Sequence, residues 1–149
     1  MIRVLQVGKY YPPAKGGMEN HLFTLINELK STICLEVLVA NNEPSGVLET
    51  VDGIKVRRVP NLFEISSAPI CPTLPYWMRK WHGDIFHIHL PNPFAEVSYL
   101  LARHKDKLIV AYHSDIVGRG KFFDLYRPLQ ERFLNQYIKL YEEIINAKN

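Results

Sequence analysis

Only two cysteines occur among the chain's 149 residues, and their surroundings exclude the usual structural uses of that residue. Cys34 lies in the apolar run Ile33–Val39 and Cys71 in a proline-bounded segment. Neither a disulfide framework nor a metal-ligand spacing is present, so a reducing cytoplasm is the expected compartment. No stretch approaches the ~20 apolar residues that cross a bilayer, and no basic region followed by a long apolar core opens the chain. Charge of one sign is scarce: 18 Lys and Arg against 15 Asp and Glu leave +3. The basic residues are scattered, which argues against nucleic acid as a partner. Also missing are the dinucleotide signature Gly-x-Gly-x-x-Gly, the Gly-Lys-Ser/Thr of a P-loop and a serine-hydrolase nucleophile elbow. There is no internal repeat or low-complexity tract.

With 47% hydrophobic and 22% charged residues, the chain has the composition of a globular protein with one core. An apolar strand from Ile2 to Val7 leads through a turn-rich loop and Gly16-Gly17 into a helix of about Gly17 to Lys30. The apolar face of that helix repeats at Met18, Leu22, Leu25, Ile26 and Leu29. A buried strand is expected at Ile33 to Ala40, then a hairpin of Val47 to Val51 and Ile54 to Val59 around Asp52-Gly53, toward a sheet edge. Between Pro60 and Pro75 no period holds. Leu74 to His82 reads as a short helix with Pro75 in its first turn. Asp84 to Leu90 is a strand, Asn92-Pro93 opens a helix to about Ala102, and Leu108 to Tyr112 is another parallel strand. A last helix starts at Pro128. The alternation predicts an α/β fold, a Rossmann-like parallel sheet flanked by helices. The expectation for residues 1–149 is a single, partial domain.

In such a sheet, ligands gather beyond the carboxyl ends of the strands. Three segments reach that edge: Gly16-Gly17 with Glu19, His89-Leu90-Pro91-Asn92-Pro93, and His113-Ser114-Asp115. The paired glycines let backbone approach a ligand, and the helix behind them offers free N–H groups to an anion. Lys15 is either an anion ligand or an ordinary loop lysine. Tyr10 and Tyr11 border a sugar or simply pack their loop. Glu19 either accepts a hydrogen bond from an acceptor alcohol or serves the dipole of its helix. His113 has an imidazole able to donate to a sugar hydroxyl or a phosphate oxygen while its other nitrogen meets the backbone. Asp115 is a cap or an acceptor ligand, and Arg119 reaches for an anionic group from a glycine-flanked loop. His87 and His89 share a strand face, but no third or fourth zinc ligand is evident nearby, so no metal is expected. His87 is placed within the sheet and His89 near its functional edge.

Taken together, Tyr10-Tyr11-Pro12-Pro13 running to Gly16-Gly17-Met18-Glu19-Asn20-His21, His87-Ile88-His89-Leu90-Pro91-Asn92-Pro93, and Tyr112-His113-Ser114-Asp115-Ile116-Val117 resemble the N-terminal half of glycosyltransferase group 1, or family 4, enzymes of GT-B fold. The resemblance covers roughly residues 1 to 135. It implies a metal-independent transferase that needs no cofactor and moves a sugar from a nucleotide diphosphate sugar with retention of configuration. It also implies that Gly16-Gly17 approaches the diphosphate and acceptor region, that His113 contacts the transferred sugar, and that Asp115 lines the adjoining pocket. The acceptor would be a glycan or a lipid-linked sugar of a cell-surface polysaccharide, often with a mannose donor. The second, nucleotide-binding domain has no counterpart in this sequence, so the isolated chain is expected to be inactive without that domain or a complementary chain. Two other classes stay open: a noncatalytic binding or regulatory subunit, and a different Rossmann-type nucleotide-binding enzyme. Leu74, Tyr76, Trp77, Met78 and Trp81 interleave with Arg79, Lys80 and His82. That stretch reads either as a protein-packed aromatic helix or as a peripheral contact with the inner face of the cell membrane.

Overall fold

The computed structural model describes residues 2–104 and 106–113. The expected helix from Pro128, with Asp115 and Arg119, lies outside the described residues. The first strand, β1 (Arg3–Val7), is followed by α1 (Gly17–Leu29), β2 (Cys34–Ala40) and the hairpin of β3 (Val47–Val51) and β4 (Ile54–Val59). Next come a small hairpin, β5 (Phe63–Ile65) and β6 (Ala68–Ile70), then α2 (Leu74–Lys80), β7 (Ile85–Leu90), α3 (Pro93–Ala102) and β8 (Lys107–Tyr112). Six strands form one sheet in the order β3-β4-β2-β1-β7-β8. Every neighbouring pair is parallel except β3 with β4, which puts the antiparallel hairpin at the edge.

That order positions the site. From β1 the chain moves outward to β2 and β4, then returns to place β7 and β8 on the other side of β1. The order reverses between β1 and β7, and it is beyond the carboxyl ends of strands at such a reversal that sheets of this kind bind ligands. The hairpin turn has positive φ at Asp52 (49°) and Gly53 (82°), as a type I′ turn requires. The hairpin of β5 and β6 lies in the stretch where no period holds. Its turn residues, Ser66 and Ser67, also have positive φ, 50° and 62°, but serine carries none of the asparagine-glycine signal that marks such turns.

Strand alternation sorts the side chains onto two faces. One face packs Val4, Leu35, Val37, Val39, Ile54 and Val56 against Leu22 and Ile26 of α1. Met18, Leu25 and Leu29 of the expected apolar stripe are only half-buried, and Glu19 is buried in line with Leu22 and Ile26. The other face centres on Phe86, whose ring meets Trp81 (4.9 Å), Tyr99 (5.4 Å) and His104 (4.5 Å). Helix α3 begins where its sequence signals it. Asn92 Oδ1 accepts from the Ala95 N–H at the N-cap, and Pro93 takes the first turn, where it has no N–H to lose.

Candidate active site

Histidines from three elements meet at the carboxyl edge of the sheet. His89 comes from β7, His113 from the residue after β8, and His21 from α1. His89 Nδ1 lies 2.9 Å from His113 Nε2, and His89 Nε2 lies 2.8 Å from Gln6 Oε1 on β1. The His21 ring stands edge-on to His113, with centroids 4.5 Å apart. His87, two residues before His89 on the same strand face, stacks on the His89 ring at 4.6 Å. The His113 N–H donates to the Leu90 carbonyl, continuing the pairing of β7 with β8 past its last register pair. Beside the cluster, the Asn92 side chain donates to the Gly8 carbonyl, tying the end of β1 to the start of α3.

Burial governs the charge of this group. It pulls His89 down to about 2 and His87 down to about 4, with neighbouring histidines adding to the effect. His113 is lowered as well, by burial and by His21, against a smaller opposing pull from Glu19. At neutral pH these three imidazoles are therefore uncharged and act as hydrogen-bonding groups rather than as cations.

The three-histidine cluster changes the view of metal binding taken from the sequence, where only the pair His87 and His89 was in sight. The ligand atoms of His21, His89 and His113 all lie within 4.8 Å of one another. Tetrahedral zinc at ~2.05 Å would hold its nitrogens about 3.4 Å apart. The 2.9 Å contact between His89 and His113 is shorter than that and has the length of a shared proton.

The glycine pair divides into two roles. Gly16 is extended, with φ of 177°. A Cβ there would meet Glu19 Oε2 at 2.0 Å, because the Glu19 side chain folds back over Gly16 at the helix start. A Cβ on Gly17 would meet nothing within 4 Å. Gly16→Ala is therefore expected to displace the Glu19 carboxylate and cost about 0.3–1 kcal/mol of stability by weakening its interaction with the helix dipole. Gly17→Ala should be neutral or stabilising by about 0.5 kcal/mol, since alanine gains helix propensity over glycine. Urea denaturation of the two variants checks the contrast, and equal effects would deny Gly16 its special role.

The tyrosines of the same loop are held by packing and hydrogen bonds. Tyr11 is 1% exposed and packs on Phe23 in the core, so its ring is not available to a ligand. Its loop is held from β4, where Arg58 donates to the Tyr11 carbonyl at 3.0 Å while pairing with Glu49. The Tyr10 hydroxyl donates to the Glu64 carboxylate and accepts from Asn61. Burial and that carboxylate hold its pKa well above the usual phenol range. Both tyrosines thus pack their loop, Tyr10 while remaining partly exposed. Lys15 is exposed. Among the described residues the side chain of His113 meets a histidine rather than the backbone, because β7 and β8 pair in parallel and carry the two rings to one edge. Gln6 and His21 join the site only through the tertiary structure. A buried amide inside the apolar run Val4-Leu5-Gln6-Val7 was the available signal, since interior polar groups are kept where they have partners.

A separate cleft of 240 Å³ opens between the sheet and α2, lined by Leu5, Leu38, Lys55, Arg57, Trp77 and Trp81 among others. It shares no residue with the histidine cluster. There Arg57 stacks on the Trp77 ring at 3.6 Å. Leu74, Met78 and Trp81 of the aromatic stretch are buried, whereas Tyr76, Arg79, Lys80 and His82 remain exposed.

Comparison with known proteins bears on the same residues. The family model described as Glycosyltransferase Family 4 matches residues 15–146. The chain is 34% identical over 137 residues to O-antigen chain mannosyltransferase C of Escherichia coli, covering 89% of this chain and 37% of that protein. It is 29% identical over 138 residues to D-rhamnosyltransferase WbpZ of Pseudomonas aeruginosa, covering 90% of this chain and 36% of that protein. The chain thus spans little more than a third of the length of these curated relatives. No solved structure matches it. The α/β sheet with its mostly parallel strands, the carboxyl-edge cluster and the family match together identify the chain as a member of Glycosyltransferase Family 4 with a Rossmann-like domain of the GT-B N-terminal type.

Proposed function

We propose that this domain is the acceptor-side half of a retaining glycosyltransferase that uses a nucleotide diphosphate sugar in cell-surface polysaccharide or glycolipid synthesis. The observation that carries the reading is the uncharged His113 held against His89 and His21 at the carboxyl edge of the sheet. A neutral imidazole recognises a sugar hydroxyl without adding a fixed charge at the reacting centre. In transfer, the acceptor hydroxyl forms a bond to the anomeric carbon as the bond to the diphosphate breaks. Nucleoside diphosphate leaves with the bonding electrons, and the hydroxyl proton is released. Contacts that tighten as this charge separation develops raise the rate.

In this reading His113 contacts the transferred sugar. Gly16 and Gly17 lie at the diphosphate and acceptor side, and Glu19, buried at the start of α1, faces the acceptor alcohol. The family resemblance assigns Asp115 to the acceptor, and Arg119 is assigned there from its glycine-flanked loop; both lie outside the described residues. The relatives named as an O-antigen chain mannosyltransferase and a D-rhamnosyltransferase support a hexose-type donor, mannose among them, and a polysaccharide acceptor. The family resemblance assigns most of the nucleotide pocket to a second domain, so transfer is tested with both domains present. The experiment is reconstitution: this chain is mixed with a separately expressed second half, and nucleoside diphosphate release is followed with mannose and related donors. Donor consumption should appear only in the mixture. A verified heterodimer that consumes no donor sinks the proposal.

Peripheral membrane contact belongs to the same proposal. Among the described residues no helix is long and apolar enough to cross a membrane. The exposed side of α2 presents Tyr76, Arg79 and Lys80, a cationic and aromatic surface suited to anionic headgroups. Sedimentation with vesicles should rise with anionic lipid and fall about 30-fold in affinity in the double variant Arg79→Gln and Lys80→Gln, at about 1 kcal/mol for each charge removed. Binding that is indifferent to both changes removes α2 as the contact.

A further inference from the structure

We propose that Gln6 and His89 are positioning residues that hold His113 as a hydrogen-bond acceptor, so that the group it recognises is a donor hydroxyl and not a phosphate oxygen. The starting point is Gln6 Oε1, 2.8 Å from His89 Nε2. An amide oxygen only accepts, so His89 Nε2 carries the proton. A neutral imidazole has one N–H, which leaves a lone pair on His89 Nδ1. His113 Nε2 lies 2.9 Å from that lone pair, with the two ring planes 10° apart. Two lone pairs at this separation repel, so His113 Nε2 is the donor. The remaining nitrogen of His113, Nδ1, then bears a lone pair.

Direction is thus passed along the chain Gln6, His89, His113, and each link lies on a different strand or its end. Burial of His89 and the lowered affinity of His113 for a second proton keep both rings in the neutral form this chain requires. Against an ionised diphosphate, Nδ1 would set lone pair against lone pair. Against a sugar hydroxyl it accepts the hydroxyl proton in a good hydrogen bond. The statement about substrate rests on the proposed function, because it takes His113 to face the transferred sugar. The tautomer chain itself does not.

The test is long-range ¹H–¹⁵N NMR of the histidine side chains in the ¹⁵N-labelled full chain at pH 7, with His113 assigned from the His113→Gln spectrum. The expected result is a protonated Nε2 and an unprotonated Nδ1 in both His89 and His113. A dominant Nδ1–H form of His113 overturns the proposal, and the wild-type spectrum alone is enough to decide it. The Gln6 amide oxygen is the acceptor that sets the tautomer. Gln6→Met removes it and should raise the Nδ1–H population of His113 on the order of fivefold, the equivalent of one hydrogen bond. An unchanged population in folded Gln6→Met would show that Gln6 does not set the direction and would also overturn the proposal. The expected tautomers combined with failed reconstitution would count against the glycosyltransferase reading alone. Restored transfer with the opposite tautomer would count against the relay alone.

Discussion

Acidification from pH 7 to pH 5 is expected to lower the melting temperature of the chain by about 10 °C or more, through the buried histidines at the carboxyl edge of the sheet. In the unfolded chain each histidine takes up a proton near its ordinary value of about 6.5. In the folded domain His87 resists protonation down to about 4 and His89 down to about 2, both chiefly because burial penalises the charged ring. His113 is displaced in the same direction by burial and His21. Below pH 6.5 the unfolded state therefore binds more protons than the folded state. Stability is fully present above that pH and drains away as pH falls, for His87 until its own folded value near 4 is passed. Two units of acidification cost on the order of 2 kcal/mol for each fully displaced histidine. Thermal melts followed by circular dichroism at stepped pH measure the effect, and His87→Leu should make the dependence shallower. A melting temperature that stays level from pH 7 to pH 5 would show that these rings take up protons in the folded domain over the same pH range as in the unfolded chain.

The second large effect concerns transfer. In a reconstituted two-domain enzyme, His113→Ala should lower kcat/KM for sugar transfer by about 10- to 100-fold, the equivalent of leaving a buried hydroxyl unpaired at 1–3 kcal/mol. The loss should fall mainly on kcat, with nucleotide affinity nearly unchanged, because the proposed contact is to the reacting sugar and not to the nucleotide. Steady-state kinetics together with nucleotide binding by calorimetry separate the two terms. Wild-type kcat in the variant would remove His113 from the reaction. A matching loss of nucleotide affinity would place it on the diphosphate instead.

Much of the architecture was legible in the chain because the signals were local. The hairpin around Asp52-Gly53, the N-cap at Asn92 with Pro93 behind it, and the helix starting at Gly17 each depend on residues within a few positions of one another. The hairpin at Ser66-Ser67 was not legible, because its turn adopts positive φ with residues that do not advertise it. Tyr11 was equally opaque: whether an aromatic after a strand meets a ligand or fills the core depends on Phe23 and on the grip of Arg58, neither of which is its sequence neighbour.

The candidate site divides along the same line. By itself the sequence determined that Gly16, His89 and His113 sit at the ends of strands or the start of a helix, because strand alternation and helix periodicity follow from covalent geometry. Only the tertiary structure decided that Gln6, His89 and His113 form one hydrogen-bonded line with His21 against its end, and that Glu19 closes over Gly16. The physical reason is register. A period of two tells which face a side chain occupies, whereas the pairing of Gln6 with His87 on β7, and of His89 with Ala111 on β8, sets which residues on that face come within hydrogen-bonding distance.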